Sequence, residues 1–147
     1  MRKPRALSRF LEMAEECEAG HGQDWQWLLH ASRPNGLIVG PDAVCAETLA
    51  MFEELLLRPV VHWPRDGAPW VGRQRAATVV LHDVGALAAG DQTTLQAWMD
   101  DAGRGVQIIS LASSSIYPMV QQGAFLETLY YRINCVFIDC SGVPGSR

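Results

Sequence analysis

The sequence predicts an α/β domain built around a parallel β-sheet. Five short apolar runs alternate along the chain with segments of helical periodicity. Short apolar runs bounded by glycine, proline and polar residues are typical of buried strands. Strands that alternate with helices form βαβ units, whose helices cover both faces of the sheet. The chain has 147 residues, which is enough for one domain of this kind.

Residues 1–35 are predicted to form a helical extension that precedes the main domain. A helical pattern covers residues 7–19 and ends at Gly20, a natural stop. A second short helix is predicted at residues 24–29, and turn-forming residues follow at 32–36.

The main domain is predicted to span residues 36–140, with a disordered tail at 141–147. Strands are predicted at residues 36–40, 59–63, 77–81, 106–111 and 136–138. Helices are predicted at residues 43–57, 91–101, within 113–123, and at 125–133. Asp42 is expected to cap the first of these helices. Residues 64–74 are rich in glycine, proline and charge, which predicts a loop.

Charge and cysteine content argue against several classes of protein. The formal net charge of −4 argues against a nucleic-acid or membrane binder, because phosphate backbones attract basic surfaces. The sequence has no segment typical of a signal peptide or a membrane span, so we expect a cytoplasmic protein. The four cysteines have no C-x-x-C spacing and are expected to be free thiols, with no metal site.

Three segments resemble the AAA+ domain of bacterial sigma-54-dependent transcription activators, the enhancer-binding proteins. Residues 123–134, GAFLETLYYRIN, are similar to that family's signature G-x-F-R-x-D-L-Y-Y-R-L-N. Residues 78–87, TVVLHDVGAL, resemble its Walker B segment T-L-F-L-D-E-I-G-E-L, and Gln92 and Leu95 continue the match. Residues 37–47, LIVGPDAVCAE, share only a pattern of strand, glycine and helix with its Walker A segment.

The resemblance implies a three-layer fold of the P-loop NTPase and AAA+ type. The expected sheet has five parallel strands in the order 5-1-4-3-2, with the first strand central. No lid domain is expected after the fifth strand.

The resemblance also implies that the ATP-binding loop of the family is degenerate here. A P-loop follows the pattern G-x-x-x-x-G-K-[ST], in which glycines admit the phosphates and the lysine neutralises them. Gly40 matches the first glycine. Cys45 and Ala46 stand where the second glycine and the lysine are expected, and Glu47 follows them.

The catalytic positions implied by the resemblance are also replaced. His82 stands at the position of the Walker B aspartate, although Mg²⁺ prefers oxygen ligands. Asp83 stands at the catalytic glutamate, and Ser113 at the sensor asparagine. Of the two family arginines only Arg132 is present, because Leu126 occupies the other position.

These replacements predict a non-catalytic interaction module, a pseudo-ATPase related to transcription regulators. We expect no ATPase activity, no required cofactor and no direct DNA binding. The expected partner is a protein, either an AAA+ transcription activator or another copy of this chain. The alternative is a protein that binds ATP or ADP weakly at residues 40–46 without turnover, because a helix N-terminus alone offers backbone donors to a phosphate.

Several side chains are expected to have structural roles only. Phe125, Leu129 and Tyr130 fall at helical spacing, which predicts core packing. His82 and Asp83 are adjacent at a strand end, so their side chains are expected to diverge. His62 is expected to be isolated from other functional groups.

Overall fold

The computed structural model describes residues 28–29, 32–63, 76–102 and 105–140. The helix predicted at residues 7–19, the loop predicted at 64–74 and the tail at 141–147 lie outside the described residues. Of the short helix predicted at 24–29, only Leu28 and Leu29 are described.

The five predicted strands form one parallel sheet. The strands are β1 (Gly36–Val39), β2 (Val60–Trp63), β3 (Thr78–Leu81), β4 (Gln107–Ala112) and β5 (Val136–Asp139). Their spatial order is β2-β3-β4-β1-β5, which is the predicted order read from the opposite edge. Every pair of neighbouring strands is parallel. The fold class and strand order predicted from the sequence are therefore confirmed.

The described residues contain four helices of at least five residues. They are α1 (Asp42–Phe52), α2 (Ala89–Ala102), α3 (Tyr117–Gln121) and α4 (Glu127–Ile133). Short 3₁₀ turns lie at Glu53–Leu55, directly after α1, and at Val84–Ala86, after β3.

Helices cover both faces of the sheet, because successive side chains of a strand point to opposite faces. One face carries Ile38, Val80, Ile109, Leu111 and Ile138, which pack with residues of α1 and with Leu28. The other face carries Leu37, Val79, Leu81 and Ile108, which pack with residues of α2 and α4. The central strands β1, β3 and β4 are buried throughout, as expected for parallel strands covered on both sides.

The first helix differs from its prediction at both ends. Pro41, with ψ of 144°, precedes the helix, and Asp42 is its first residue rather than its cap. No side-chain hydrogen bond caps the helix, although the carboxylate of Asp42 in the first turn still suits the helix dipole. The α-helix ends at Phe52, where φ is −122°, so it is shorter than the pattern at 43–57 predicts.

The last helix also begins later than predicted. Leu126 has an extended backbone, with ψ of 122°, so α4 begins at Glu127 rather than at residue 125. Phe125 lies before the helix and is nevertheless 2% exposed within the core. Leu129 is fully buried and Tyr130 is partly buried, so the predicted packing role of these residues is confirmed.

The turn before α4 is fixed by one buried side chain of α2. The amide of Gln92 donates to the carbonyls of Leu87 and Ala124, at 3.0 and 3.1 Å. Its Oε1 accepts a hydrogen bond of 2.8 Å from the backbone N–H of Leu126. Gln92 is 1% exposed, so these bonds form in a low-dielectric environment where an unmade bond is costly. Gln92 thereby joins the two best-matched segments of the sequence.

Candidate functional site at the carboxyl edge of the sheet

Most of the predicted site residues lie at the carboxyl edge of the sheet. Gly40, His82 and Ser113 each follow a strand directly, and the carboxyl ends of parallel strands meet at one edge. The N–H of Gly40 donates to the carbonyl of Ala112 at 3.0 Å, and the N–H of His82 donates to that of Trp63 at 2.8 Å. Ligands of open α/β sheets bind outside this edge. Gly40, His82 and Ser113 therefore lie where a ligand site is expected.

The segment between β1 and α1 is too short to wrap a phosphate. Only Gly40 and Pro41 separate the strand from the helix. The N–H of Gly40 is already donated to Ala112, and proline has no N–H. The backbone donors that remain at this position belong to the first turn of α1.

Most of the predicted weak nucleotide-binding segment, residues 40–46, belongs to α1, in agreement with the helix predicted from residue 43. Cys45, Ala46 and Glu47 lie inside α1, with Ala46 and Glu47 exposed. The N–H of Cys45 donates to the carbonyl of Pro41 at 2.9 Å, an ordinary helical hydrogen bond. Alanine at position 46 favours this helix, because it has the highest helix propensity.

The thiol of Cys45 occupies the space at the end of β1. Its Sγ lies 3.3 Å from the carbonyl oxygen of Gly40 and 3.9 and 3.8 Å from those of Ile38 and Ala112. Burial, and secondarily the charge of Asp42, raises the pKa of Cys45 to about 11. The thiol is therefore neutral at physiological pH, and its proton can be shared among carbonyl oxygens.

His82, at the Walker B position, is engaged by a histidine of the neighbouring strand. Nδ1 of His62 lies 2.8 Å from Nε2 of His82. Nε2 of His62 lies 2.5 Å from Oε1 of Glu53, in the 3₁₀ turn after α1. Both rings face the α1 side of the sheet, because His62 is two residues from Val60 and His82 is two residues from Val80. The expectation that His62 is isolated is wrong.

The two imidazoles meet edge to edge. Their ring centroids are 5.1 Å apart and their planes are inclined by only 26°. The centroid separation exceeds the 2.8 Å N···N distance by about two ring radii. Both nitrogens therefore lie close to the line that joins the two ring centres. This arrangement suits one N–H···N hydrogen bond, rather than face-to-face stacking.

Two hydrogen bonds join the chain Glu53–His62–His82. Oε1 of Glu53 accepts from Nε2 of His62, which fixes the orientation of that ring. Between the rings, one of Nδ1 of His62 and Nε2 of His82 donates and the other accepts, according to the tautomer. If both rings were doubly protonated, two N–H groups would face each other and this bond would break.

Asp83 does not share this chain of hydrogen bonds. Its backbone is left-handed, with φ of 52° and ψ of 53°, and its side chain is exposed. The left-handed region is uncommon for residues other than glycine, although aspartate is enriched there. The predicted divergence of His82 and Asp83 agrees with this geometry.

Arg132 lies at the opposite, amino edge of the sheet. Its carbonyl accepts a hydrogen bond of 2.9 Å from the amide of Asn35, the residue before β1. Its Nη1 donates to Oδ1 of Asp100 in α2 at 2.5 Å. The side chains of Arg132 and Asp100 are 37% and 64% exposed, so solvent weakens this ion pair. The structure thus separates Arg132 from the other predicted site residues.

Sequence analysis missed Glu53 and His62 as members of the site. The predicted strand order already placed the strand of His62 beside the strand that ends at His82. The presence of His62 and His82 at the ends of neighbouring strands was therefore a signal that the two side chains could meet. Glu53 carried no signal, because the helix was predicted to continue through it.

The described ranges 28–29, 32–63, 76–102 and 105–140 contain no group of three or more histidine, cysteine, aspartate or glutamate residues arranged to hold a metal ion. In the same ranges, no helix combines the length and the apolar character needed to cross a bilayer.

Three solved structures of NtrX from Brucella abortus share the fold of this chain. The structure in complex with ATP has a TM-score of 0.54 and 15% sequence identity over 97% of this chain and 36% of the NtrX chain. A second NtrX structure has a TM-score of 0.59 and 17% identity, covering 93% of this chain and 39% of NtrX. The complex with ADP has a TM-score of 0.52 and 14% identity, covering 95% and 36% of the two chains.

The likeness extends to the fold alone, because the sequence identity is low. This chain spans between 36% and 39% of the length of the NtrX chains. No protein-family model matches the sequence. No curated protein matches it either.

Proposed function

We propose that this domain is a non-catalytic, AAA+-like interaction module related to sigma-54-dependent transcription regulators. It contacts a protein partner, either a related ATPase or a second copy of this chain, and does not turn over ATP. The observation that carries the proposal is the start of α1 at Asp42, directly after Gly40 and Pro41. This start replaces a phosphate-wrapping loop with a helix.

The carboxyl edge supports the proposal through the groups that occupy it. Phosphoryl transfer requires a placed cation, a group that positions water, and charges that neutralise the phosphates. The neutral thiol of Cys45 supplies no positive charge beside Gly40. His82 is hydrogen-bonded to His62. It also has no oxygen ligand to offer Mg²⁺.

The interaction surface in this proposal lies on α3 and α4. Tyr117 and Tyr131 are 44% and 58% exposed, and the ring of Tyr130 lies between them. The ring centroids of Tyr130 and Tyr131 are 5.2 Å apart, and those of Tyr117 and Tyr130 are 6.0 Å apart. Exposed tyrosines beside Arg132 suit a protein contact, because tyrosine and arginine are enriched among residues that dominate binding energy.

The test measures association and stability of the same variants. Tyr131→Ala and Arg132→Ala are each examined by size-exclusion chromatography with light scattering and by thermal melting. If the partner is a second copy, the wild type associates with rising concentration, and both variants lose this association at an unchanged Tm. Arg58→Ala, which changes an exposed arginine before β2, is the matched control and keeps wild-type association. A monomeric wild type whose variants change only the Tm would contradict self-association and leave Arg132 as an ion-pair residue.

The alternative function is weak binding of ATP or ADP without turnover. It is favoured by the NtrX structures, which share the fold and are described as complexes with ATP and with ADP. The first turn of α1 also offers backbone donors to a phosphate. A thermal melt with ATP and Mg²⁺ separates the two functions, because a ligand that binds only the folded state raises its stability. The interaction module predicts an unchanged Tm, whereas the alternative predicts a rise that saturates with ATP concentration.

A further inference from the structure

A cavity opens at the amino edge of the sheet, on the side opposite the carboxyl-edge site. Its volume is about 260 Å³. It lies between α2, the end of α4 and residues 32–35, beside the starts of β1, β4 and β5. The volume lies slightly below the range of about 300–1,000 Å³ that is usual for small-molecule sites, so the cavity suits a compact ligand.

The floor of the cavity is apolar. It is formed by Trp98 and Met99 of α2, by Ile108 of β4, and by Val106, which directly precedes β4. Met99 and Ile108 are 6% and 1% exposed, so both are anchored in the core. A ligand that covers this floor removes apolar surface from water, which favours binding.

Two arginines supply the charged part of the lining. The described lining contains Arg33 and Arg132 and no carboxylate. Each guanidinium has five N–H donors. In the described part of the chain, Arg33 donates to the carbonyl of Leu55 at 3.4 Å and Arg132 donates to Asp100. Donors therefore remain on both groups, and only the charge of Arg132 has an acidic partner there.

The cavity is held in place by hydrogen bonds of Asn35. Its Oδ1 accepts from the backbone N–H of Ile108 at 2.7 Å, and its amide donates to the carbonyl of Arg132 at 2.9 Å. Its carbonyl also accepts from the N–H of Val136 at 3.0 Å. The side chain and backbone of this one residue thus tie β4, α4 and β5 together around the cavity. Arg33 has a left-handed backbone, with φ of 47°, a conformation that is uncommon for arginine.

We propose that this cavity binds a small organic anion that combines one carboxylate with an aromatic or branched aliphatic body. The body covers the floor of Met99 and Val106, and the carboxylate accepts hydrogen bonds from Arg33 and Arg132. Guanidinium groups match a carboxylate through paired, charge-assisted hydrogen bonds. This site shares Arg132 with the proposed protein contact, but its floor and Arg33 lie apart from the exposed tyrosine rings of α3 and α4.

The test is an NMR titration of the full chain with 3-phenylpropionate, with the neutral 3-phenylpropionamide as the matched probe. The carboxylate is expected to shift the amide signals of Asn35, Val106 and Cys135 at millimolar concentrations. The amide is expected to bind at least about tenfold more weakly, because it loses the charge-assisted bonds. Equal binding of the two probes, or shifts spread over the whole chain, would overturn the proposal.

Three variants locate the binding. Arg33→Gln is expected to weaken binding of the carboxylate probe about tenfold and to leave binding of the amide probe unchanged. Asp100→Asn is expected to strengthen binding of the carboxylate probe about threefold, because Arg132 is released from its ion pair. Val106→Phe places a larger side chain in the cavity and is expected to abolish binding of both probes. Arg58→Gln is the control and keeps wild-type binding. A melt of each variant confirms folding, and wild-type affinity in a folded Arg33→Gln would overturn the proposal whatever the result of the association test.

Discussion

Nδ1 of His62 lies 2.8 Å from Nε2 of His82, at the position where the resembled family has its Walker B aspartate. The bond joins the edge strand β2 to the end of β3. Glu53 holds the other nitrogen of His62, so three elements meet in one chain of hydrogen bonds. The side chain of His82 thus links the end of β3 to the edge strand β2 through a hydrogen bond.

This relationship predicts an energetic coupling between His62 and His82. His62→Ala and His82→Ala are each expected to lower the free energy of unfolding by about 1–2 kcal/mol at pH 7, because each leaves a partner without its hydrogen bond. In the double variant the same bond is lost only once. Urea denaturation of the four proteins should therefore give a coupling energy of about 0.5–1.5 kcal/mol.

Glu53→Gln is the companion variant for this cycle. The glutamine oxygen still accepts a hydrogen bond from Nε2 of His62, so a loss of less than about 1 kcal/mol is expected. Fully additive losses for the two histidine variants would show that the His62–His82 bond contributes nothing to stability.

The buried amide of Gln92 predicts a large loss of stability on substitution. Gln92→Leu removes hydrogen bonds to Leu87, Ala124 and Leu126, and the expected loss is about 2–4 kcal/mol because these backbone groups remain in place. Gln96→Leu is the matched control on the same helix, where the bond to Thr128 is exposed. Its expected loss is within about 0.5 kcal/mol. Equal losses for the two variants in urea denaturation would contradict the anchoring role.

The pKa of Cys45 predicts selective labelling of the cysteines. At pH 8 the thiol of Cys45, with a pKa of about 11, is almost entirely protonated and therefore unreactive. Cys135 is exposed and should react with iodoacetamide. Peptide mapping by mass spectrometry reports each site, and labelling in urea is the control in which both react. Equal labelling of Cys45 and Cys135 in the folded protein would contradict the buried, neutral thiol.

The sheet could be predicted from the sequence because its signal is local. Buried strands such as Gly36–Val39 and Thr78–Leu81 are short apolar runs between turn residues, and their order follows from the resemblance. The segment 123–134 also indicated the packing of Phe125 and Leu129, whose spacing is visible in the sequence.

The site was less predictable because its geometry depends on where helices begin and end. Helical periodicity continues past Phe52, so the turn that carries Glu53 was hidden. The start of α1 at Asp42 lies one residue before the start predicted from the helical pattern. The His62–His82 bond depends on the rotamers of side chains from two strands, which no local pattern specifies.

We propose that the carboxyl edge does not support ATP turnover, and phosphate release by the purified chain measures that turnover. The chain is incubated with ATP and Mg²⁺, and released phosphate is compared with a buffer control and with Asp83→Ala. We expect release at the buffer rate for both proteins, since α1 begins directly after Gly40 and Pro41 and His82 is bonded to His62. Steady release above buffer that Asp83→Ala abolishes would contradict it.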